Sequence, residues 1–287
     1  MTRFRLDRWL TLFFFTPLLR VTSSNKGTKI PILMYHSISN DNENTVHPYY
    51  RINTSPEVFT EHMRYLHDNN YSIVSLHDIK ELLGQSSVTA KKYVIITFDD
   101  GYRDFYAEAF PILQKYGFTA TVFLPTAFIN NPKITLKGKQ HLNWDEVKEL
   151  SQKKITFGSH TVTHPQLKFL KKEDIEFELR QSKETIEDTL GIPVESFSYP
   201  FAFLEDKNYK EYLKKILQKL GYKYGVSTRI GQTSEQDEIY FMKRIPVNSC
   251  DDILFFQAKI RGGYDWLNAP QNFFKILKHR FSGDRDV

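Results

Sequence analysis

The feature that most constrains this chain is an apolar run that ends abruptly in two acids. Residues 93–98 read YVIITF, and Asp99, Asp100 and Gly101 follow directly. A run of β-branched and aromatic residues without a polar face predicts a strand buried on both sides. Each of two adjacent carboxylates opposes the ionisation of the other, so we expect a cation to lie against the pair.

A second strand-like segment supplies ligands for such a cation. Residues 155–157 read ITF, and the polar turn after them carries His160 and His164. Two histidines four positions apart can reach one ion from a helical turn or a tight loop. With Asp100 they form a two-histidine, one-carboxylate set, which leaves coordination positions open for water and substrate and is typical of a catalytic metal. The set suits Zn²⁺, and Ni²⁺, Co²⁺ or Fe²⁺ accept the same ligands.

The rest of the chain alternates between strand and helix patterns, and this alternation decides the fold class. About seven strand-then-helix units follow one another without internal repeats, which predicts a parallel sheet. The number of units favours an α/β fold with a distorted (β/α)7-type barrel over an open doubly wound sheet. His36, the two acids, both metal-site histidines and the segment around Pro200 all follow predicted strands. We therefore expect them at the mouth of the barrel, where the strands end.

Capping residues set the limits of several predicted helices. Ser55 followed by Pro56 begins a helix that runs to about residue 68. Asn143 caps a second helix, and a long amphipathic helix over residues 172–190 ends at Gly191. The histidines outside the metal site have no paired partner in the sequence and are predicted to be solvent-exposed: His47, His62, His67, His77, His141 and His279.

Composition excludes some classes of protein. At 287 residues, 40% hydrophobic and 25% charged, the chain can bury the core of one large domain. The formal charge of +5 favours anionic surroundings such as a cell envelope, but no Lys/Arg run is dense enough to indicate nucleic acid. Cys250 is the only cysteine, so neither an intrachain disulfide nor a cysteine-based zinc site can form.

The ends of the chain differ from its middle, and we expect three parts. Residues 1–27 form a leader, residues 28–262 form the catalytic domain, and residues 263–287 form a tail with a closing helix at 271–279. In the leader, basic residues precede an apolar stretch over residues 9–19, which is too short to span a bilayer but fits a signal peptide. A signal predicts a secreted or envelope-associated protein, with cleavage left open; an interfacial helix that associates with the membrane is the alternative.

The motifs resemble those of a known family. TFDDG at residues 97–101, together with SHTVTHP at residues 159–165, resembles the first two motifs of the polysaccharide deacetylases, the NodB-homology domain of carbohydrate esterase family four. SYPF at residues 198–201 is similar to the third motif, and the resemblance covers roughly residues 29–259. It implies a distorted barrel, an acetylated polysaccharide substrate and a divalent metal. The roles that it implies are Asp99 as general base, Asp100, His160 and His164 as metal ligands, and the backbone N–H of Phe201 as oxyanion donor beside Tyr199 and Pro200.

A further motif narrows the resemblance and assigns the acid. PILMYHSI at residues 31–38 resembles the Met-Tyr-His signature of the branch that deacetylates poly-β-1,6-N-acetylglucosamine, which implies that His36 is the general acid. The late Leu-x-His motif of other members is absent. Many members also carry an arginine that pairs with the base where this chain has Ser198, and Arg244 is our candidate replacement.

These assignments predict metal-dependent hydrolysis of an N-acetyl amide in an N-acetylglucosamine-containing polysaccharide. Amide hydrolysis needs a base to activate water and an acid to protonate the amine that leaves. Two alternatives stay open. One is an O-acetyl esterase that acts on xylan or another acetylated glycan, and the other is a carbohydrate-binding protein that keeps the fold without catalysis.

Overall fold

The computed structural model describes residues 5–22, 27–84, 91–201 and 206–271. The predicted closing helix at residues 271–279 lies outside the described residues except for Gln271.

Seven parallel strands close into a barrel. In chain order they are β1 (Ile32–Tyr35), β2 (Lys92–Phe98), β3 (Ala120–Leu124), β4 (Ile155–Ser159), β5 (Ser196–Ser198), β6 (Tyr224–Ile230) and β7 (Met242–Pro246). They are hydrogen-bonded in the order β1, β7, β6, β5, β4, β3 and β2, and β2 pairs back with β1 to close the ring. The predicted distorted (β/α)7-type barrel is therefore confirmed.

Both faces of β2 are buried, as its apolar run predicts. Ile96 and Phe98 pack into the layer between the strands and the surrounding helices, whereas Ile95 packs with Phe123 of β3 inside the barrel. Because successive side chains of a strand point to opposite faces, a strand between two apolar layers has to be apolar throughout. Asp99 and Asp100 thus follow directly where the two apolar layers, inside and outside the barrel, come to an end.

Helices surround the barrel. Their bounds are Pro56–Asp68, Ile79–Gly84, Phe110–Lys115, Trp144–Ser151, Lys172–Leu190, Lys207–Lys219 and Ile253–Ala258. The predicted caps are present: the side chain of Ser55 accepts a hydrogen bond from the Val58 N–H, and Asn143 forms a reciprocal capping box with Glu146. Short strands complete the fold: Lys29–Ile30 pairs with Thr233–Ser234, Ser37–Ile38 pairs with Asn53–Thr54, and Tyr71–Ile73 pairs with the start of β2.

The N-terminal segment is helical and packs against the C-terminal part of the domain. It consists of Leu6–Leu10, a π-helical turn at Thr11–Phe15, and Thr16–Thr22. The ring of Phe15 stacks on that of Trp266 with centroids 4.7 Å apart, and the Trp266 indole N–H donates to the Thr11 hydroxyl at 3.0 Å. Among the described residues, no helix combines the length and the apolar character needed to cross a membrane. The predicted domain limits at residues 27 and 262 stay predictions.

Two histidines that were predicted to be exposed are buried, so that prediction was wrong for His62 and His141. His62 lies on the same helical stripe as Phe59, Met63 and Leu66, all of which face the core. Its Nε2–H donates to the backbone carbonyl of Asp251 at 2.7 Å, and its Nδ1 accepts from the Tyr35 hydroxyl at 3.1 Å. Burial lowers the pKa of His62 to about 4, so the ring is neutral at physiological pH.

The buried His62 should make the fold acid-sensitive. Because its pKa in the folded protein lies below that of an exposed histidine, the unfolded chain binds the proton first as the pH falls. The contribution of neutral His62 to the free energy of unfolding is therefore complete above about pH 6.5. It is lost as the pH falls from about 6.5 to 4. In urea unfolding at a series of pH values, we expect His62→Gln to lose roughly 2–3 kcal/mol less stability than wild type between pH 7.5 and 4.5.

His67→Gln on the same helix is the matched control, because His67 is exposed. Its pH dependence should follow that of the wild type. Equal pH dependence of His62→Gln and wild type would contradict the assignment.

Candidate active site

The mouth of the barrel contains a buried ion pair between Asp99 and Arg244. Asp99 follows β2, and Arg244 projects from β7 across the ring. Its Nη1 and Nη2 donate to the two oxygens of Asp99, each at 2.7 Å, and both side chains are buried. Burial alone would raise the pKa of Asp99, but the guanidinium holds the pKa below its usual value. Asp99 is therefore a carboxylate at neutral pH, which is the form that can accept a proton.

The remaining hydrogen bonds of this pair fix it in one orientation. The Arg244 Nε donates to the Ser227 carbonyl at 3.0 Å and Nη1 donates to the Thr97 hydroxyl at 3.2 Å. Ser198, which stands at the motif position where the family often has an arginine, donates from its hydroxyl to Asp99 at 3.2 Å. The guanidinium on β7 thus contacts the acid as the sequence analysis anticipated, and its catalytic role stays a prediction.

Asp100, His160 and His164 form a compact Asp-His-His cluster beside this pair. Asp100 Oδ1 lies 3.5 Å from His160 Nε2 and 3.2 Å from His164 Nε2, and the ligand atoms all lie within 4.8 Å of one another. Burial would raise the pKa of Asp100, but its contacts with His160 and His164 hold the pKa well below the usual value. The cluster therefore offers one ionised oxygen and two imidazole nitrogens to one point.

The hydrogen bonding of His160 shows that the cluster fits a metal ion. Its Nδ1 lies 2.7 Å from the Ser198 carbonyl, which can only accept, so Nδ1 carries the proton. The lone pair of Nε2 then faces the ionised carboxylate of Asp100. A cation between these two electron-rich atoms would stabilise the arrangement. A borderline ion such as Zn²⁺ takes imidazole and carboxylate ligands of this kind, and the residues present can hold it.

The backbone around the cluster adopts an unfavourable conformation at several residues. Asp100, Thr161, His164 and Phe201 all have φ between 56° and 69°, a region that costs energy for residues other than glycine. Thr161 is the least expected of the four, because it is β-branched. These turns bring the two histidines and the third motif to one side of the barrel mouth.

Glu178 braces the histidine loop and was not anticipated from the sequence. It lies on the long helix Lys172–Leu190 and is buried. Its carboxylate accepts from the backbone N–H groups of Val162 at 2.7 Å and Thr163 at 2.9 Å, and from the Thr163 hydroxyl at 2.7 Å. An acid within the apolar stripe of an amphipathic helix was the signal that could have identified it.

The other predicted site residues lie around the same centre. His36 follows β1 and is half-buried, and its pKa is lowered by burial and responds to the charges of Asp100 and Asp99. The ring of Phe201 lies 4.7 Å from that of His164 and is exposed. Pro200 and Tyr199 are buried, and the Tyr199 ring stacks on Phe241 in the core, so that residue can reach the site only through its backbone. The assigned roles stay predictions.

Comparison with known proteins identifies the family. The family described as Polysaccharide deacetylase matches residues 86–225. YxkH of Bacillus subtilis (strain 168), whose name refers to the same family, is 34% identical over 225 residues, which are 78% of this chain and 74% of YxkH. The chain therefore belongs to the polysaccharide deacetylase family, as its motifs predicted.

Solved structures agree with this assignment. The deacetylase PplD of Streptococcus pyogenes, solved in complex with acetate, is 28% identical with a TM-score of 0.72, covering 82% of this chain and 99% of PplD. IcaB from Ammonifex degensii shares the fold at 19% identity and a TM-score of 0.64, covering 81% of this chain and 97% of IcaB. Family membership makes this chain a hydrolase that acts on an acetylated polysaccharide; such deacetylases are typically metal-dependent.

Glu178 should act as a positioning residue for the cluster. In Glu178→Gln the neutral amide is a weaker acceptor, so the loop that carries His160 and His164 loosens. We expect the Zn²⁺ affinity, measured by competition with a chromogenic chelator, to fall about 10-fold. Glu184→Gln, on the exposed side of the same helix, is the matched control and should bind Zn²⁺ like the wild type. Unchanged Zn²⁺ affinity in Glu178→Gln would show that the hydrogen bonds of Glu178 do not position His160 and His164.

Proposed function

We propose that this protein is a metal-dependent N-deacetylase of an N-acetylglucosamine-containing polysaccharide, either an exopolysaccharide or a cell-wall polymer. The observation that carries the proposal is that His36 and Asp99 follow two paired strands, β1 and β2: the Asp99 N–H donates to the carbonyl of Tyr35, the residue before His36, at 3.0 Å. An amine leaves only after it receives a proton, so a histidine acid beside a carboxylate base favours hydrolysis of an amide. The Asp-His-His cluster, Asp99 and His36 are all retained, which argues against a protein that only binds carbohydrate.

Each residue has a defined part in the reaction. Asp99, which Arg244 keeps ionised, accepts the proton of the attacking water. The backbone N–H of Phe201 donates to the carbonyl oxygen as negative charge develops on it. His36 then gives a proton to the nitrogen of the departing amine.

Asp100, His160 and His164 would hold a divalent ion. Such an ion supplies Lewis-acid polarisation of the acetyl carbonyl and lowers the pKa of water at the site. We propose Zn²⁺ because two imidazoles and one carboxylate are ligands that it accepts in catalytic sites.

The choice of substrate rests on two resemblances. Over 110 residues this chain is 30% identical to the poly-β-1,6-N-acetyl-D-glucosamine N-deacetylase of Escherichia coli (strain K12), covering 35% of this chain and 16% of that protein. The Met-Tyr-His segment that ends in His36 resembles the same branch. Both support N-acetylglucosamine units in the substrate.

Acetate release from defined glycans tests the proposal. The purified protein, loaded with Zn²⁺, should release acetate from β-1,6- or β-1,4-linked N-acetylglucosamine oligomers and should stop when a chelator removes the metal. We expect kcat to fall at least about 100-fold in Asp99→Asn and His36→Ala. Tyr106→Phe, which removes a solvent-exposed hydroxyl bonded to Glu149, is the control. Release from acetylated xylan alone would favour the O-acetyl esterase, and glycan binding without any release would favour a binding protein.

We also propose that the chain acts outside the cytoplasm, against the anionic surface of a cell envelope. The outer side of the N-terminal helix exposes large apolar side chains: Leu6, Trp9, Phe13, Phe14, Leu18 and Leu19. Aromatic side chains on a surface helix suit the headgroup region of a membrane, and the sequence pI near 9.0 suits anionic lipid.

Binding to lipid vesicles tests the N-terminal helix. The Phe13→Ser/Phe14→Ser variant should co-sediment about 10-fold less with vesicles of phosphatidylglycerol and phosphatidylcholine than the wild type, because it has lost apolar area. Phe169→Ser is the matched control, since Phe169 is equally exposed but far along the chain from this helix. If neither the wild type nor the variants bind vesicles, the membrane part of this proposal is wrong.

A further inference from the structure

Asp104 stands at the start of a helical segment but does not cap it. It directly precedes the π-helical turn Phe105–Ala109, and its side chain makes no capping hydrogen bond to that turn. An aspartate in this position ordinarily accepts from the backbone N–H groups of its own helix. Only 17% of the Asp104 side chain is exposed, and a carboxylate that is largely buried needs partners. Its hydrogen bonds therefore serve another part of the chain.

The partners of Asp104 are the two residues that follow His36. Its Oδ2 accepts from the Ser37 hydroxyl at 2.5 Å, and its Oδ1 accepts from the Ile38 backbone N–H at 3.1 Å. Both Ser37 and Ile38 are completely buried. Hydrogen bonds to an ionised carboxylate are stronger than those to a neutral acceptor. The backbone directly after His36 is therefore anchored to the start of this helical segment.

The backbone directly before His36 is anchored by the same stretch of chain. The Asp99 N–H donates to the Tyr35 carbonyl at 3.0 Å, where β1 pairs with β2. His36 thus lies between a bond to Asp99 on one side and the bonds to Asp104 on the other. Because one short turn, residues 99–104, contains both anchors and also the base, it fixes the acid-bearing segment relative to that base.

Lys139 ties a further loop to this arrangement. Its Nζ lies 3.7 Å from Oδ2 of Asp104, donates to the Ser39 hydroxyl at 3.0 Å and forms an ion pair with Asp41. The Lys139 side chain is 13% exposed, so its charge is screened less by water than that of a surface lysine. It connects Asp104 to the segment that continues from His36 and strengthens the hold on that segment.

We propose that Asp104 is a positioning residue for the general acid. It holds residues 37 and 38 so that the ring of His36 stays directed at the nitrogen of the scissile amide, which takes the proton of His36 as the C–N bond breaks. Asp104 acts only through His36 and contacts neither substrate nor metal. The inference rests on the proposed function, because it takes His36 as the acid. A misplacement of about 1 Å can cost about 100-fold in rate, so such an anchor is worth having.

The leaving group separates a misplaced acid from general damage to the site. An amine or a sugar alkoxide needs a proton in order to leave, whereas p-nitrophenolate is a weak base and leaves without one. Hydrolysis of p-nitrophenyl acetate at this site therefore depends on Asp99 but not on His36. The Asp99→Asn variant shows how much of the ester hydrolysis occurs at the site.

Asp104→Ala should slow only the substrates whose leaving group needs a proton. With N-acetylglucosamine tetramers we expect kcat to fall about 10-fold, with KM and bound Zn²⁺ unchanged, while hydrolysis of p-nitrophenyl acetate stays at the wild-type rate. Asp104→Asn, whose amide oxygen still accepts from Ile38, should lose only about 3-fold. Asp145→Ala is the matched control, because Asp145 is an exposed acid in the first turn of the helix Trp144–Ser151. It should resemble the wild type on both substrates.

A double mutant tests whether Asp104 acts through His36. In the His36→Ala background, Asp104→Ala should cause no further loss, because no acid is left to position. A further loss there, equal losses on both substrates, or unchanged kcat in Asp104→Ala would overturn the positioning role and leave the proposed function standing. If Asp104→Ala does not fold, the same comparisons in Asp104→Asn decide.

The choice of glycan separates this proposal from the proposed function. If the wild type releases acetate from acetylated xylan alone, the N-deacetylase proposal fails. The positioning role is then decided by comparing xylan with p-nitrophenyl acetate, since a sugar alkoxide also needs a proton. A selective loss on xylan in Asp104→Ala would support it, and an equal loss would overturn it. A wild type that hydrolyses none of these glycans would overturn both proposals.

Discussion

The bidentate ion pair between Arg244 and Asp99 is the interaction on which the rest of the site depends. It joins β7 to the end of β2 across the barrel mouth, and both partners are almost completely buried. Removing one partner of such a pair leaves an uncompensated buried charge and costs about 3–5 kcal/mol. The carboxylate therefore has a fixed position and a fixed charge before any substrate arrives, which is what a general base requires.

The same pair explains the departure from the family pattern at Ser198. Many members place the arginine on the third motif, whereas this chain has a serine there and the arginine on the last strand. The Ser198 hydroxyl accepts from Arg244 at 3.0 Å and donates to Asp99, so the small side chain fills the space beside the guanidinium. Its carbonyl meanwhile accepts from Nδ1 of His160. Ser198 thus connects the Asp99–Arg244 pair to the Asp-His-His cluster through its two oxygens.

The sequence predicted those parts of the structure that depend on local patterns. The apolar run before Asp99, the Asn143 cap and the stop at Gly191 gave the barrel strand and two helices correctly, because their causes lie within a few residues. Contacts between distant segments were harder to predict. Glu178 is bonded to a loop that precedes it by about fifteen residues, and the burial of His141 depends on a pairing with the turn after Asp100. The position of Glu178 in the apolar stripe of its helix indicates burial but not the loop to which it bonds, and the pairing that buries His141 leaves no periodic signal. Both partners became known only from the folded structure.

The two buried histidines are in the same charge state but differ in their hydrogen bonds. Burial lowers the pKa of both His62 and His141 to about 4, so neither burial nor pKa separates them. Their hydrogen bonds do. Both nitrogens of His62 are bonded within the protein, which completes the interactions of the ring and leaves nothing for a ligand. Neither nitrogen of His141 has a partner among the described residues, and a fold has no gain from burying a polar group in that state. The two rings therefore share the same neutral state but differ in how many of their polar atoms the surrounding protein satisfies.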